Sequence, residues 1–121
     1  IYEKGWDSMS DCIFCKIVNG DLPSKKVLET NDILVFHDVA PAAKEHVLVI
    51  PKKHIASLNE VTEQDASLLA KVILAAKQAA EKLGIAASGY RLINNIGADG
   101  GQVVHHIHFH VLGGEKLGPL N

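Results

Sequence analysis

His106-Ile107-His108-Phe109-His110-Val111-Leu112 sets three histidines in alternation with apolar residues. Successive side chains of a β-strand point to opposite faces. The spacing therefore predicts a strand with His106, His108 and His110 on one face and Ile107, Phe109 and Val111 on the other. The apolar face anchors in a core and the three imidazoles line a site. A solvated strand face is the plainer alternative, but three histidines in strict register argue against it. Imidazole changes charge near neutral pH, so it serves as nucleophile, general acid or metal ligand.

Working outward, Asn95–Gln102 before the triad is a glycine-rich loop, and Tyr90–Asn94 reads as the strand leading into it. Such a loop can offer backbone N–H groups to an anion, with Asn95 and Gln102 adding side-chain donors. It lacks the G-x-x-x-x-G-K-[ST] pattern, so it is no P-loop. Residues 62–83 read as the main helix, with Thr62 and Asp65 as a capping box and Gly84 as its stop. Leu69, Val72, Ile73, Ala76, Ala80 and Leu83 form one stripe, widened by Leu68, Ala75 and Ala79. A helix apolar over so much of its girth is covered from two sides. Residues 46–50 are β-branched-rich and apolar, a buried strand that Pro51 ends. Residues 27–30 and 33–37 read as strands around the turn pair Asn31-Asp32. Residues 12–19 read as a short helix with Asp11 as N-cap, Gly20 as stop, and Ile13, Phe14 and Ile17 facing inward. Helix, strands, helix, strands with short links between strands suggests an α+β domain, an antiparallel sheet with its helices on one side.

The chain has 121 residues, 47% hydrophobic and 21% charged, which fits one domain with one core. A formal charge of -2 without a basic run argues against a general nucleic-acid binder. Lys71, Lys77, Glu81 and Lys82 break the longest apolar stretch, so no membrane span is expected. No secretory signal is visible, and two cysteines make no disulfide framework, so a reducing cytoplasm is the expected compartment. Residues 1–8 fit no periodic pattern. Residues 1–10 are expected to be a tag or disordered extension, and 11–121 the folded domain.

A neutral imidazole nitrogen can attack phosphorus, giving a phosphohistidine-type intermediate that water releases. For this, His108 must hold its proton on one nitrogen and aim the other at phosphorus. A backbone carbonyl accepting the first proton would fix that tautomer. His110 can then sit at the phosphate and protonate the leaving group. Asp38 could accept bonds from ribose hydroxyls, although a strand-end Asp that caps a turn is the plainer reading. Cys12-x-x-Cys15 on a helix places two thiols on one face. That spacing suits zinc, with two histidines completing a tetrahedral site. A redox pair is the alternative, but its βαβ context is missing; two small packing residues are the plainest reading.

The run Gly100-Gly101-Gln102-Val103-Val104-His105-His106-Ile107-His108-Phe109-His110-Val111-Leu112-Gly113-Gly114 resembles the signature of the histidine-triad (HIT) family. The resemblance extends to Ile13-Phe14-Cys15-Lys16-Ile17, Phe36-His37-Asp38, residues 46–54 and Gly89-Tyr90-Arg91-Leu92, which resemble its HINT branch. It implies a HIT-like fold, a five-stranded antiparallel sheet with a long helix and a short N-terminal helix, and a homodimer. It also implies hydrolysis of purine nucleoside 5′-phosphoramidates or related nucleoside monophosphate derivatives. The alternatives are a dinucleoside polyphosphate hydrolase and a non-catalytic nucleotide-binding or scaffold protein. By the resemblance His108 is the nucleophile, His110 serves phosphate and leaving group, and His46 stands beside the nucleophile. Asp38 grips ribose, and Phe14, Ile17, Phe36, His37 and Val39 line a slot for the base. Zinc falls to Cys12, Cys15, His54 and His106, as a structural ion outside the chemistry; His106 is preferred to the adjacent His105 because it lies on the site face. Val103 departs from the pattern: many phosphoramidases of this branch carry Ser there, reaching the leaving group. The chain also stops soon after Leu117-Gly118-Pro119-Leu120, without the Trp-containing tail of some animal members.

Overall fold

Every residue of the strand Glu45–Pro51 after its first is buried, because the sheet is covered on both faces there. The computed structural model describes residues 11–120; the expectation for residues 1–10 lies outside them. The elements run α1 (Ile13–Val18), β1 (Lys26–Glu29), β2 (Ile33–His37), β3 (Glu45–Pro51), two short 3-10 turns (Leu58–Glu60 and Glu63–Asp65), α2 (Ala66–Lys82), β4 (Tyr90–Ile93) and β5 (Phe109–Gly113). The sheet order is β1-β2-β3-β5-β4, with all pairs antiparallel.

Alternation along the strands sorts the core into two layers. Ile33, Val35, Val47, Val49 and Val111 meet Val72, Ala75, Ala76, Ala79 and Ala80 of α2. Four alanines on that helix face let its backbone approach the sheet closely. On the other face Leu34, Phe36, Leu48 and Ile50 meet Cys12, Phe14 and Cys15 of the α1 region. The helices thus lie on opposite faces, which corrects the one-sided arrangement expected from element order. Order along the chain does not specify which face each helix takes; the two inward-facing sets on β2 and β3 do.

Three local expectations also change. The cap of α1 is Cys12, whose Sγ accepts the Cys15 N–H at 3.4 Å, while Asp11 is exposed. Ile13 is 48% exposed, since Phe14 and Cys15 take the inward positions. Ile73 and Leu74 of α2 are 44% and 57% exposed, so the second side of the helix is open in this chain. The capping box of Thr62 and Asp65 forms as expected, with the Thr62 N–H donating to Asp65 Oδ2. It opens a 3-10 turn, and the α-helix starts at Ala66. Gly84 closes the helix at φ +76, a conformation that favours glycine.

The last strand is shorter than the alternation predicts. It begins at Phe109, and 105–108 run in irregular backbone beyond the end of β4. There the Ile107 N–H donates to Ile55 O at 2.7 Å, so this segment leans on residues 52–57 instead of a strand. His106, Ile107 and His108 are all buried as a result.

Candidate active site

Alternation on β3 and β5 puts His46 and His110 on the α1 side of the sheet, opposite Val47 and Val111. His108 and His106 follow on the same side as the chain leaves β5. Phe14 packs edge-on against His108 and His106, with ring centroids 5.1 and 5.8 Å apart. The short helix α1 therefore supports the histidines from below through one ring.

Hydrogen bonds assign a tautomer to each imidazole. His108 Nδ1–H donates to its neighbour's carbonyl, His106 O, at 2.7 Å. Its Nε2 then carries the lone pair. The Ala42 N–H donates to His46 Nδ1 at 2.9 Å, so the proton of His46 is on Nε2. That Nε2–H donates to His110 Nδ1 at 2.9 Å, with Asp38 Oδ2 at 3.5 Å. His110 is left with its proton on Nε2. The outcome is an acceptor nitrogen on His108 and a donor nitrogen on His110, in rings 5.1 Å apart. Asp38, His46 and His110 also cluster closely enough to hold a cation. His46 is wired against that use, because its Nδ1 already accepts a backbone N–H and its Nε2 would have to become an imidazolate.

Burial is the first cause that lowers the proton affinity of these rings. It holds His108 below the ordinary value, partly offset by its bond to His106 O and the charge of Asp38. It takes His110 to about 4, with the charges of His108 and His46 acting in the same direction. His106 also falls to about 4, again through burial first. All three are neutral at pH 7. A consequence for stability follows from linkage. In metal-free protein the unfolded chain protonates His106 and His110 near 6.5 and the folded chain resists until about 4. The stabilisation is therefore complete above about pH 6.5 and is lost as pH falls toward 4. At pH 5 the expected loss is on the order of 2 kcal/mol for buried His106 and less for half-buried His110, whose charge solvent screens. Urea midpoints should drop between pH 7 and pH 5; equal midpoints would show that the histidines are not buried as neutral groups.

The other sequence candidates divide. Phe14 and Phe36 touch edge to face at 5.6 Å, and Ile17 packs beside them. His37 follows Phe36 on β2, so alternation sets it on the opposite face with Ile33 and Val35. Val39 is fully exposed in the turn after Asp38. Asp38 does cap that turn, accepting the Ala40 N–H on Oδ1 at 2.8 Å, and keeps Oδ2 toward His46. The Gln102 amide is built into the loop: both N–H groups donate, to Ala56 O and Val104 O, and its oxygen accepts the Gly97 N–H. The Gly101 and Gln102 N–H groups are likewise taken, by Ala98 O and Gly97 O. The anion-donor role expected of these groups is thus occupied by the loop itself. A Cβ on Gly100 would collide with the Ile96 carbonyl, so this glycine serves the turn. Asn95 Nδ2 donates to Gly100 O. Val103 is 84% exposed in the same loop. Asn94, which sequence reasoning passed over for Asn95, donates through Nδ2 to His108 O at 2.8 Å. No sequence signal marks it, because the bond depends on where β4 ends.

On the far side of His106 lies a second cluster. Cys12, Cys15, His54 and His106 bring one ligand atom each within 4.8 Å of one another. Cys12 Sγ is 3.3 Å from His106 Nδ1, and Cys15 Sγ is 3.5 Å from it and 3.4 Å from His54 Nδ1. Ideal tetrahedral zinc bonds place sulfur and nitrogen about 3.6 Å apart. His106 Nε2–H donates to Pro51 O at 2.8 Å, which frees Nδ1 as a ligand and orients the ring. Burial, reinforced by Cys12, pushes the Cys15 thiol up to about 12. Binding a cation would reverse that by expelling the proton. The donor set therefore fits zinc, and it contains His106 and not His105.

A sheet of this order, with paired imidazoles of fixed opposite tautomer on its α1 face, defines a histidine-based site of the kind suited to group transfer. Residues 19–117 match the model of the HIT domain, and the chain belongs to the HIT family. It is 42% identical over 110 residues to the purine nucleoside phosphoramidase of Escherichia coli K12, covering 91% of this chain and 92% of that protein. A histidine triad protein from Clostridium difficile superposes with a TM-score of 0.88 at 43% identity, covering 92% and 96% of the two chains. A HIT family hydrolase from Legionella pneumophila superposes at 0.85 with 48% identity, covering 87% and 94%.

Proposed function

We propose that this chain is a hydrolase of purine nucleoside 5′-phosphoramidates, or of related nucleoside monophosphate derivatives, acting through a nucleotidyl-His108 intermediate. The observation that carries the reading is the His108 Nδ1–H bond to His106 O, which leaves Nε2 with a lone pair. The name of the Escherichia coli relative supports the substrate class. In the first step Nε2 attacks phosphorus and the P–N bond breaks as the departing amine takes a proton from His110 in its imidazolium form, which leaves that ring neutral. The anionic substrate raises the proton affinity of His110 for that task. In the second step water attacks phosphorus, the P–Nε2 bond breaks and returns its electron pair to His108, water's proton passes to neutral His110, and the nucleoside monophosphate leaves. His46 holds the His110 tautomer. Asp38 Oδ2 takes the ribose hydroxyls, and Phe14, Ile17 and Phe36 take the base. Zinc on Cys12, Cys15, His54 and His106 supplies no chemistry to these steps; it ties α1 to the histidine segment.

The working unit in this reading is a cytoplasmic homodimer of the domain 11–121, with neither nucleic acid nor membrane as partner. The exposed Ile73 and Leu74 of α2, and Tyr90 and Leu92 on the edge strand β4, are the surfaces a second copy would cover. Among the described residues no helix is long and apolar enough to cross a membrane. The test is a panel of adenosine and guanosine phosphoramidates against diadenosine polyphosphates. Faster turnover of the polyphosphates would replace the substrate class, and tight nucleotide binding without turnover of either would leave a binding protein.

Val103 has no group to meet a departing nitrogen. Val103→Ser should raise phosphoramidase kcat by about three- to tenfold, the worth of one ordinary hydrogen bond. KM should change less, since the contact forms as the amine departs. No gain with any amine tested would show that this position does not touch the leaving group.

A further inference from the structure

The β4–β5 ladder ends at the pair Ile93 and His110. His108 lies beyond that last rung, where no residue of β4 faces it. Its main-chain carbonyl is met instead by a side chain, Asn94 Nδ2, at 2.8 Å. On the other side of the same segment the Ile107 N–H donates to Ile55 O at 2.7 Å. The nucleophile's irregular backbone is thus held from both sides, and on the β4 side the holder is one carboxamide. That carboxamide is kept at a cost. Asn94 Oδ1 is buried and has no hydrogen-bond partner among the described residues. An unpaired buried acceptor destabilises a fold. Turning the amide over would not help, because Oδ1 would then face the carbonyl oxygen of His108.

We infer that Asn94 is a positioning residue: its Nδ2–H continues the sheet ladder past the end of β4 and fixes the backbone from which His108 aims Nε2. The inference rests on the reading of His108 as nucleophile. It explains why a fold would retain an orphaned acceptor beside a reactive ring. The effect runs through orientation: His108 Nδ1–H bonds back to His106 O, two residues away in the same chain. A shift of the 106–108 backbone therefore moves both ends of that bond. Small errors of aim at a reacting atom lower the rate of the chemical step more than they weaken binding.

The test uses Asn94→Leu, which deletes donor and orphaned acceptor together at similar volume, and Asn94→Ala as a second variant. Turnover of an adenosine phosphoramidate, the thermal midpoint and the 15N shifts of the His108 imidazole are measured on the full chain. The expected result for Asn94→Leu is a kcat about five- to tenfold lower, KM within about twofold, and a thermal midpoint equal to or above the parent's. The His108 ring nitrogens should move from one fixed tautomer toward an average of two. Unchanged kcat and ring shifts in a folded variant would overturn the proposal. So would a lowered midpoint accompanied by unchanged kcat and ring shifts, which is what a purely structural residue gives. If Asn94→Leu does not fold, the same readouts on Asn94→Ala decide. A parent protein that turns over no phosphoramidate would overturn the functional reading alone, since the ring spectrum still decides for Asn94.

Discussion

His108→Asn should lower phosphoramidate turnover by at least about a thousandfold, while nucleoside monophosphate binding changes by less than about tenfold. On the proposed mechanism this substitution removes the nucleophile and leaves the binding proposed for Asp38, Phe14 and Phe36. His108→Ala should do the same with an added stability loss, because Phe14 packs edge-on against the deleted ring. In the parent enzyme, rapid mixing with labelled substrate and an alkaline quench should trap label on a histidine. The pH dependence has a definite sign. His108 is buried and held below its ordinary proton affinity, so its Nε2 is unprotonated at neutral pH and attack weakens only as the medium turns acid. Near-normal turnover by His108→Asn, or label on any other residue, would end the mechanism.

The alternation of residues 106–112 disclosed the apolar anchor, the strand and the shared side of the three imidazoles without any coordinates. It failed at its own beginning, where residues 106–108 are not strand. A period-2 pattern says which way side chains point if a partner strand is present, and β4 ends at Ile93. The choice of tautomer was legible only as a requirement. Its agents are main-chain groups, His106 O, Ala42 N–H and Pro51 O, brought close by the fold and not marked by residue type. The two-sided covering of β3 was readable as an unbroken apolar run, yet the face taken by α1 was not. Gln102 illustrates the opposite error. An amide beside a triad reads as a donor for substrate, but a glycine-rich loop needs its own donors first, and this one takes both.

Cys15→Ser should remove zinc and lower the thermal midpoint by on the order of 10 °C or more. A site of two thiolates and two imidazoles is filled by one tetrahedral ion, so the purified protein should contain about one zinc per chain. Metal that binds only the folded site adds its binding energy to folding. Even about 3 kcal/mol lost from a domain of this size moves the midpoint by roughly that amount. The location of the donors makes the effect large. Cys12 and Cys15 belong to α1, His54 follows β3, and His106 opens the histidine segment. Without the ion, α1 is held by its apolar contacts with Leu34, Phe36, Leu48 and Ile50 and by Phe14 against the His106 and His108 rings. Two buried thiols would then carry no metal, and burial holds the proton of Cys15 in place until about 12. Zinc uptake must expel that proton, so affinity should weaken as pH falls. Activity should decline through loosening of the His106 end, and less steeply than stability. Elemental analysis together with a chelator titration checks this. Folded, active protein free of metal would reduce Cys12 and Cys15 to packing residues. Loss of metal with selective loss of turnover at unchanged midpoint would mean that the ion takes part in the chemistry.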